Sequence, residues 1–279
     1  MNDKHLQMQK DIIATLGVRP SIDAAAEVER RIAFLESYLT DHHAGAYVLG
    51  ISGGIDSTTA GRMAQLAVER ARGKGHDAVF IAMRLPYGRQ MDEAEAQQAL
   101  AFIRPDRTVT VDIKSASDAL LGALGANLNN ADIAKTDFLL GNIKSRQRMV
   151  AQYAVAGAYD GIVIGTDHAA EAVMGFFTKY GDGGFDLTPL AHLNKRQVRA
   201  LARELGAPSN LVDKVPTADL EELAPQKPDE AAYGVSYDEI DDLLEGRQVS
   251  DKAFDIVATA YEKTRHKRQL PAEPPRADA

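Results

Sequence analysis

Short apolar runs alternate along this chain with stretches in which apolar residues recur every three or four positions. The runs have the length and composition of buried strands, and the spaced stretches have the period of helices lying on a sheet. The strand-like runs are Ala46-Tyr47-Val48-Leu49, Ala78 to Met83, Thr108 to Ile113 and Gly161 to Asp167. Between them, Ala60, Met63, Ala64, Ala67, Val68 and Ala71 fall on one helical face. Helical patterns also cover Asp92 to Phe102, a short piece around Ser117 to Leu124, and Asp137 to Tyr159. The alternation predicts an α/β fold with an open, mainly parallel twisted sheet flanked by helices and joined by right-handed crossovers.

Helical additions are expected at both ends. Two helices span roughly residues 5–41, the second opened by Pro20-Ser21-Ile22-Asp23 and carrying Val28, Ile32, Leu35 and Leu39 on one face. This preface must pack on the sheet or on another subunit. Asn194 is placed to cap a helix over Lys195 to Leu205 that Gly206 ends. Further helices are predicted over Tyr237 to Leu244 and Asp251 to Thr264. Gly125 to Lys135 reads as a loop, and Ala169 to Pro189 as a short helix and a mobile glycine-rich loop. Pro208, Pro216, Pro225 and Pro228 mark a long loop, and a loop of that length in a compact domain is usually functional or disordered. One domain over residues 1–270 and a flexible tail over 271–279 follow.

Composition narrows the function. Hydrophobic residues make up 45% of the 279 positions and charged residues 26%, as in ordinary globular chains. The net charge of −8 weighs against nucleic acid as the main partner. No apolar run has the length of a membrane span, and Met1-Asn2-Asp3-Lys4-His5 does not open a signal peptide, so a cytoplasmic location is expected. The absence of cysteine removes disulfides, zinc–thiolate sites and cysteine nucleophiles from consideration.

The richest chemistry follows the first strand, at Gly50-Ile51-Ser52-Gly53-Gly54-Ile55-Asp56-Ser57-Thr58. A strand, a glycine turn and a helix aim free backbone N–H groups at a phosphate beside the helix start. The Gly-Lys-Ser/Thr ending of a Walker A loop is absent. Asp56 repels a phosphate, so it suits a helix N-cap or a ligand for a metal bridging to phosphate. A second group, Gly165-Thr166-Asp167-His168-Ala169-Ala170-Glu171, begins at the end of the fourth strand. Ligands of open α/β sheets bind beyond the carboxyl ends of strands, so the first and fourth strands should flank one crevice. Arg146 and Arg148, two apart on a helix, point about 200° apart and cannot share one face, which makes Arg148 a surface or salt-bridge residue.

The glycine turn resembles the SGGxDS loop of the ATP pyrophosphatases. The string from Gly165 through Gly175-Phe176-Phe177-Thr178-Lys179-Tyr180-Gly181-Asp182-Gly183-Gly184 is similar to the signature of the bacterial NAD synthetases. Leu85-Pro86-Tyr87-Gly88, Gly141 to Met149, Asn194-Lys195-Arg196-Gln197, Pro216 to Glu221, Pro228-Asp229-Glu230 and His266-Lys267-Arg268 extend the likeness over nearly the whole chain.

The resemblance implies an adenine nucleotide alpha hydrolase-like, Rossmann-like fold and an enzyme that makes NAD from deamido-NAD, ATP and ammonia, with Mg²⁺, in a homodimer. It implies that Gly50, Ile51, Ser52, Gly53, Gly54, Ile55, Asp56 and Ser57, with Thr166, Lys195 and Thr217, bind ATP. Asp56 and Glu171 are its expected Mg²⁺ ligands, and Asp56, Lys195 and Asp182 its expected catalytic residues. Arg146, Lys179, Asp186, His266 and Lys267 are expected on deamido-NAD, with Asn142, Tyr153 and Phe176 as further contacts, and Arg84 near the adenine. Neither nucleic acid nor membrane is expected as a partner. The prolines and small residues after Leu270 depart from the aromatic-rich tail of many relatives. Another ATP pyrophosphatase, such as a GMP synthetase or a tRNA-modifying enzyme, and a non-catalytic nucleotide-binding module are the alternatives.

Overall fold

A computed structural model describes residues 3–89, 92–128, 132–218 and 220–274. Helices α1 (Asp3–Leu16) and α2 (Ala24–Asp41) precede strand β1 (Ala46–Gly50), helix α3 (Ile55–Gly73) and strand β2 (Val79–Arg84). Helix α4 (Glu93–Ile103), strand β3 (Arg107–Thr110), helices α5 (Lys114–Leu124) and α6 (Ile133–Ala158), and strand β4 (Gly161–Val163) complete the α/β part. The strands are all parallel, in the order β3-β2-β1-β4. Strand order reverses between β1 and β4, and the crevice expected there is present.

The pleat explains the two cores. Tyr47, Leu49, Phe80 and Ala82 face one way and pack under α2, α3, α4 and the later helix α8 (Lys195–Glu204). Ala46, Val48, Ile81 and Met83 face the other way, against Ala151, Val155 and Ala156 of α6. The Tyr47 hydroxyl donates to the Leu35 carbonyl at 2.6 Å, which fixes α2 on the sheet. Asp23 caps α2 as its sequence predicts, accepting from the Ala26 N–H. A third cluster joins α1 to α7 (Ala169–Met174), α10 (Asp229–Tyr233), α11 (Tyr237–Leu244) and α12 (Asp251–Lys263). The preface therefore divides: α2 covers the sheet and α1 covers the C-terminal helices.

Several boundaries differ from the sequence pattern. β4 ends at Val163 because the returning chain takes over its pairing: the Asp186 N–H donates to the Val163 carbonyl, and Ile164 bridges Leu187. β3 ends at Thr110, although the Val111 and Ile113 N–H groups still donate to Arg84 and Pro86. α6 starts at Ile133, inside the predicted loop, because Asp132 accepts from the Lys135 N–H and caps it. The proline-rich stretch contains helix α9 (Ser209–Val212) and a two-stranded ribbon of β5 (Thr217–Ala218) and β6 (Lys227–Pro228). Residues 275–279 of the expected tail lie outside the described residues.

Candidate active site

The glycine turn is held by its own hydroxyls. Ser57 Oγ accepts from the Ser52 N–H and donates to the Gly54 carbonyl, while Ser52 Oγ accepts from the Gly54 N–H at 3.2 Å. Gly54 is the N-cap of α3 and no side chain caps that helix, so its positive end faces the cleft. Asp56 is therefore not the cap. Gly53 has a φ of +88°, and a Cβ there would lie 2.8 Å from the Ala96 N atom, so glycine is required for the turn to pack on α4. The other expected members from Gly50 to Ser57 line a cleft of about 460 Å³.

Thr166, Glu171, Lys195, Thr217, Asp182 and Lys267 line the same cleft. Lys195, in the first turn of α8, is 1% exposed and reaches back to Asp56, with Nζ 3.0 and 2.8 Å from its two oxygens. Asn194 and Gln197 form a reciprocal cap at that helix start, and Asp241 accepts the Lys195 and Arg196 N–H groups. His168 Nε2 lies 3.5 Å from Asp56 and 3.6 Å from Glu171. Asp56, His168 and Glu171 thus present ligand atoms within 4.8 Å of one another. Two hard carboxylate oxygens beside a phosphate loop are a donor set that suits Mg²⁺, and the neutral imidazole adds a weaker third donor.

The electrostatics are uneven. Burial works against the charge of Asp56, but Lys195 outweighs it and holds the carboxyl below its ordinary range. Burial and the Asp56 charge push Glu171 well above its ordinary range. Burial and the Lys195 ammonium lower His168 to about 3, so it is neutral at physiological pH. Burial also disfavours the Lys195 charge, yet Asp56 and Glu171 raise its pKa.

The remaining expected residues form a rim. Lys267 Nζ donates to the Gly175 and Phe177 carbonyls, and Lys179 Nζ to the His266 carbonyl. Arg146 is exposed and donates to the Lys179 carbonyl. Asp186 is turned toward β4, accepting from the Val163 N–H at 2.8 Å and from the Tyr153 hydroxyl at 3.0 Å. Asp182 accepts from the Ser145 hydroxyl at 2.6 Å and the Thr178 N–H at 2.9 Å, which sets the shape of the glycine-rich loop. Asn142 and Phe176 line the cleft, Phe176 edge-on to Tyr233. Arg84 is 2% exposed and donates to the Ile51 carbonyl at 2.7 Å, so it braces the phosphate loop from behind.

Arg148 differs from its sequence reading. It is half-buried, lines the cleft and donates to the Leu85 carbonyl. The angular argument holds, but the cleft extends to its side of α6, leaving Arg146 at the rim. Gln152, one turn further, accepts the Gly50 N–H at 2.7 Å, and periodicity alone gives no sign of that contact. Lys144 is buried on the same helix. Its ammonium donates to the Leu220 carbonyl and the Glu222 carboxylate and lies 3.9 Å from the Tyr87 ring centroid. Asp137 accepts the Glu222 and Leu223 N–H groups. The segments after β2 and β5 are thus both fastened to α6. Gln90 and Asp219 lie outside the described residues.

A phosphate-cradling glycine turn at the switch point of a parallel sheet, facing paired acids and a buried lysine, defines a nucleotide-using enzyme of the ATP pyrophosphatase kind. The profile of the NAD synthase family matches residues 27–271, and the chain belongs to that family. It is 61% identical over 270 residues to the NH(3)-dependent NAD(+) synthetase of Streptomyces coelicolor, covering 96% of this chain and 98% of that one. The NAD+ synthetase structure from Burkholderia pseudomallei superposes with a TM-score of 0.83 at 59% identity, covering 97% of this chain and 99% of the other. An NMN synthetase structure from Francisella tularensis superposes with a TM-score of 0.79 at 33% identity, covering 91% and 99%.

Proposed function

We infer that this chain is an ammonia-dependent NAD synthetase, amidating deamido-NAD at the expense of ATP and releasing AMP and pyrophosphate. The observation that carries the reading is the meeting of Asp56, Glu171 and Lys195 beside the Gly50–Ser57 turn, where the ends of β1 and β4 part.

A carboxylate resists amidation because oxide is a poor leaving group. In the first step a nicotinate oxygen attacks the α-phosphorus of ATP. The new O–P bond forms as the bond to the β-phosphate oxygen breaks, and pyrophosphate departs. The N–H groups of the turn and the Lys195 ammonium offset the charge that grows on that leaving group. Asp56 and Glu171 would hold Mg²⁺, which when bound supplies Lewis-acid stabilisation of phosphate charge. In the second step the ammonia nitrogen attacks the acyl carbon and AMP leaves. Asp182 is assigned the proton that ammonium must lose. Lys179, Lys267, His266 and Arg146 form a basic rim suited to the pyrophosphate of deamido-NAD, with Asp186 and Tyr153 beside it.

A homodimer fits the surface beside this rim. α5 buries only Ser117, and Leu120, Ile133 and Phe138 remain exposed on α5 and α6. Leu120→Glu is expected to shift sedimentation from dimer to monomer. A cytoplasmic location accords with the use of ATP and ammonia. No helix among the described residues is long and apolar enough to cross a membrane. The segments around Tyr87 and 220–223 act as covers that exclude water from the acyl-adenylate, and their amide exchange should slow when ATP and deamido-NAD are added together.

The deciding experiment supplies deamido-NAD, ATP, Mg²⁺ and ammonium and follows NAD and AMP. With ¹⁸O in the nicotinate carboxylate, one labelled oxygen is expected in AMP, and label in phosphate with ADP as product refutes the acyl-adenylate. Glutamine in place of ammonium should give no product, because this chain has no cysteine to release its nitrogen. Because one neighbour is an NMN synthetase, nicotinate mononucleotide belongs in the same assay, and a preference for it would overturn the dinucleotide assignment.

A further inference from the structure

Lys195 holds a position that conflicts with the metal chemistry of the cleft. Its ammonium bonds both oxygens of Asp56, one of the two carboxylates assigned to Mg²⁺. A divalent cation on Asp56 repels the ammonium and draws on the same oxygens. A second buried acceptor lets the lysine draw back from the cation and stay in the cleft. Its Nζ also rests 5.0 Å from the Tyr237 ring centroid, and the hydroxyl of that ring donates to Asp229 Oδ2 at 3.0 Å.

Asp229 is 6% exposed, lines the same cleft, and its Oδ1 has no hydrogen-bond partner among the described residues. A buried carboxylate oxygen left unpaired is costly unless a cation or donor serves it. Burial raises its pKa, and the Tyr237 hydroxyl and then the nearby Lys195 charge pull it back down. Asp229 is not among the residues whose ligand atoms cluster within 4.8 Å at Asp56, which makes it a poor first choice as a direct ligand.

We propose that Lys195 is a placeholder on Asp56 that passes to Asp229 when the divalent cation arrives, so that Asp229 is a positioning residue holding the ammonium beside the phosphates. The inference rests on the assignment of Asp56 and Glu171 to the metal.

Mn²⁺ is the probe, with free and bound ion separated by electron paramagnetic resonance, in the full chain without nucleotide. Lys195→Met is expected to tighten Mn²⁺ binding and Asp229→Asn to weaken it, each by about tenfold. In the Lys195→Met background, Asp229→Asn should change affinity by less than about twofold, since no lysine is left to receive. Equal weakening in both backgrounds would make Asp229 a ligand or a remote charge and overturn the proposal. No effect in either background would make it structural and overturn it too. Should Asp229→Asn not fold, Tyr237→Phe replaces it. That variant keeps the carboxylate, loosens Asp229, and is expected to tighten Mn²⁺ binding only where Lys195 is present; an equal effect without Lys195, or none, overturns the proposal. Asp56→Asn separates the two readings. If Mn²⁺ binding ignores that change, the metal assignment fails and the proposal with it. If binding needs Asp56 but shows no coupling of Lys195 to Asp229, only the proposal fails.

Discussion

Two buried ionic clusters flank the start of α8, and they are built differently. Glu27, 3% exposed in the first turn of α2, is surrounded by Arg19, Arg30 and Arg31. Arg31 continues to the Pro189 and Ala191 carbonyls and ties α2 to the segment before α8. Here one carboxylate meets several cations, and the spare donors end on backbone. In the cleft, Asp56, Glu171 and Asp229 share Lys195, and burial pushes Glu171 and Asp229 toward the neutral form. A cluster that serves packing completes its bonds within the chain. A cluster that serves chemistry keeps an excess of one charge for a ligand to balance, at a cost in stability.

Substitution should separate the two. Asp56→Asn is expected to lower turnover by about a thousandfold, roughly 4 kcal/mol of barrier, while lowering the thermal midpoint only modestly, because Glu171 and Asp229 remain near the buried Lys195 ammonium. AMP release and calorimetry on the same sample check both halves. Glu27→Gln should do the opposite, costing about 3 kcal/mol of stability by leaving arginines unpaired, with turnover within about twofold once folded. A large loss of rate there would erase the distinction. Glu171→Gln removes a carboxylate whose charge is disfavoured, so a gain of about 1 kcal/mol in urea denaturation should accompany a turnover loss of about a hundredfold.

Asp106 tests the comparison at its mild end. It accepts from Arg72 and from the Phe80 N–H at the edge of the sheet. Burial opposes its charge, but these bonds win and lower its pKa. A depressed carboxyl stabilises the fold above its ordinary value of 3.8 and loses that contribution as pH falls through the lower folded value. Asp106→Asn is expected to cost about 1.5 kcal/mol at neutral pH and progressively less below pH 4, with no effect on the KM for ATP. An equal cost at pH 7 and pH 3 would show that the bonds do not need the charge.

The parts of the site that were legible in the sequence are those written contiguously. The turn after β1 and the Gly165–Glu171 group each carry their chemistry within a few residues, and the switch point between β1 and β4 follows from strand order. What stayed hidden was contributed by one residue at a time from distant elements. Gln152 and Arg148 face the cleft because of the angle at which α6 crosses the sheet, and a helical pattern does not state that angle. Pro228-Asp229-Glu230 adds to the family likeness, but its position beside Lys195 depends on α11 and on Tyr237. The short ribbon of β5 and β6 escaped because two-residue strands leave no period to detect.

Lys144 has a further consequence. One ammonium grips Leu220 and Glu222 while lying on the ring of Tyr87, so the segments above the cleft are fastened through the same atom. An inhibitor seated beneath either segment is retained by both, and its escape waits on the rupture of contacts that it does not itself make. Changes at Lys144 should therefore alter how long such a compound stays more than how well it fits, and residence time becomes a property of the enzyme that can be adjusted without touching the cleft.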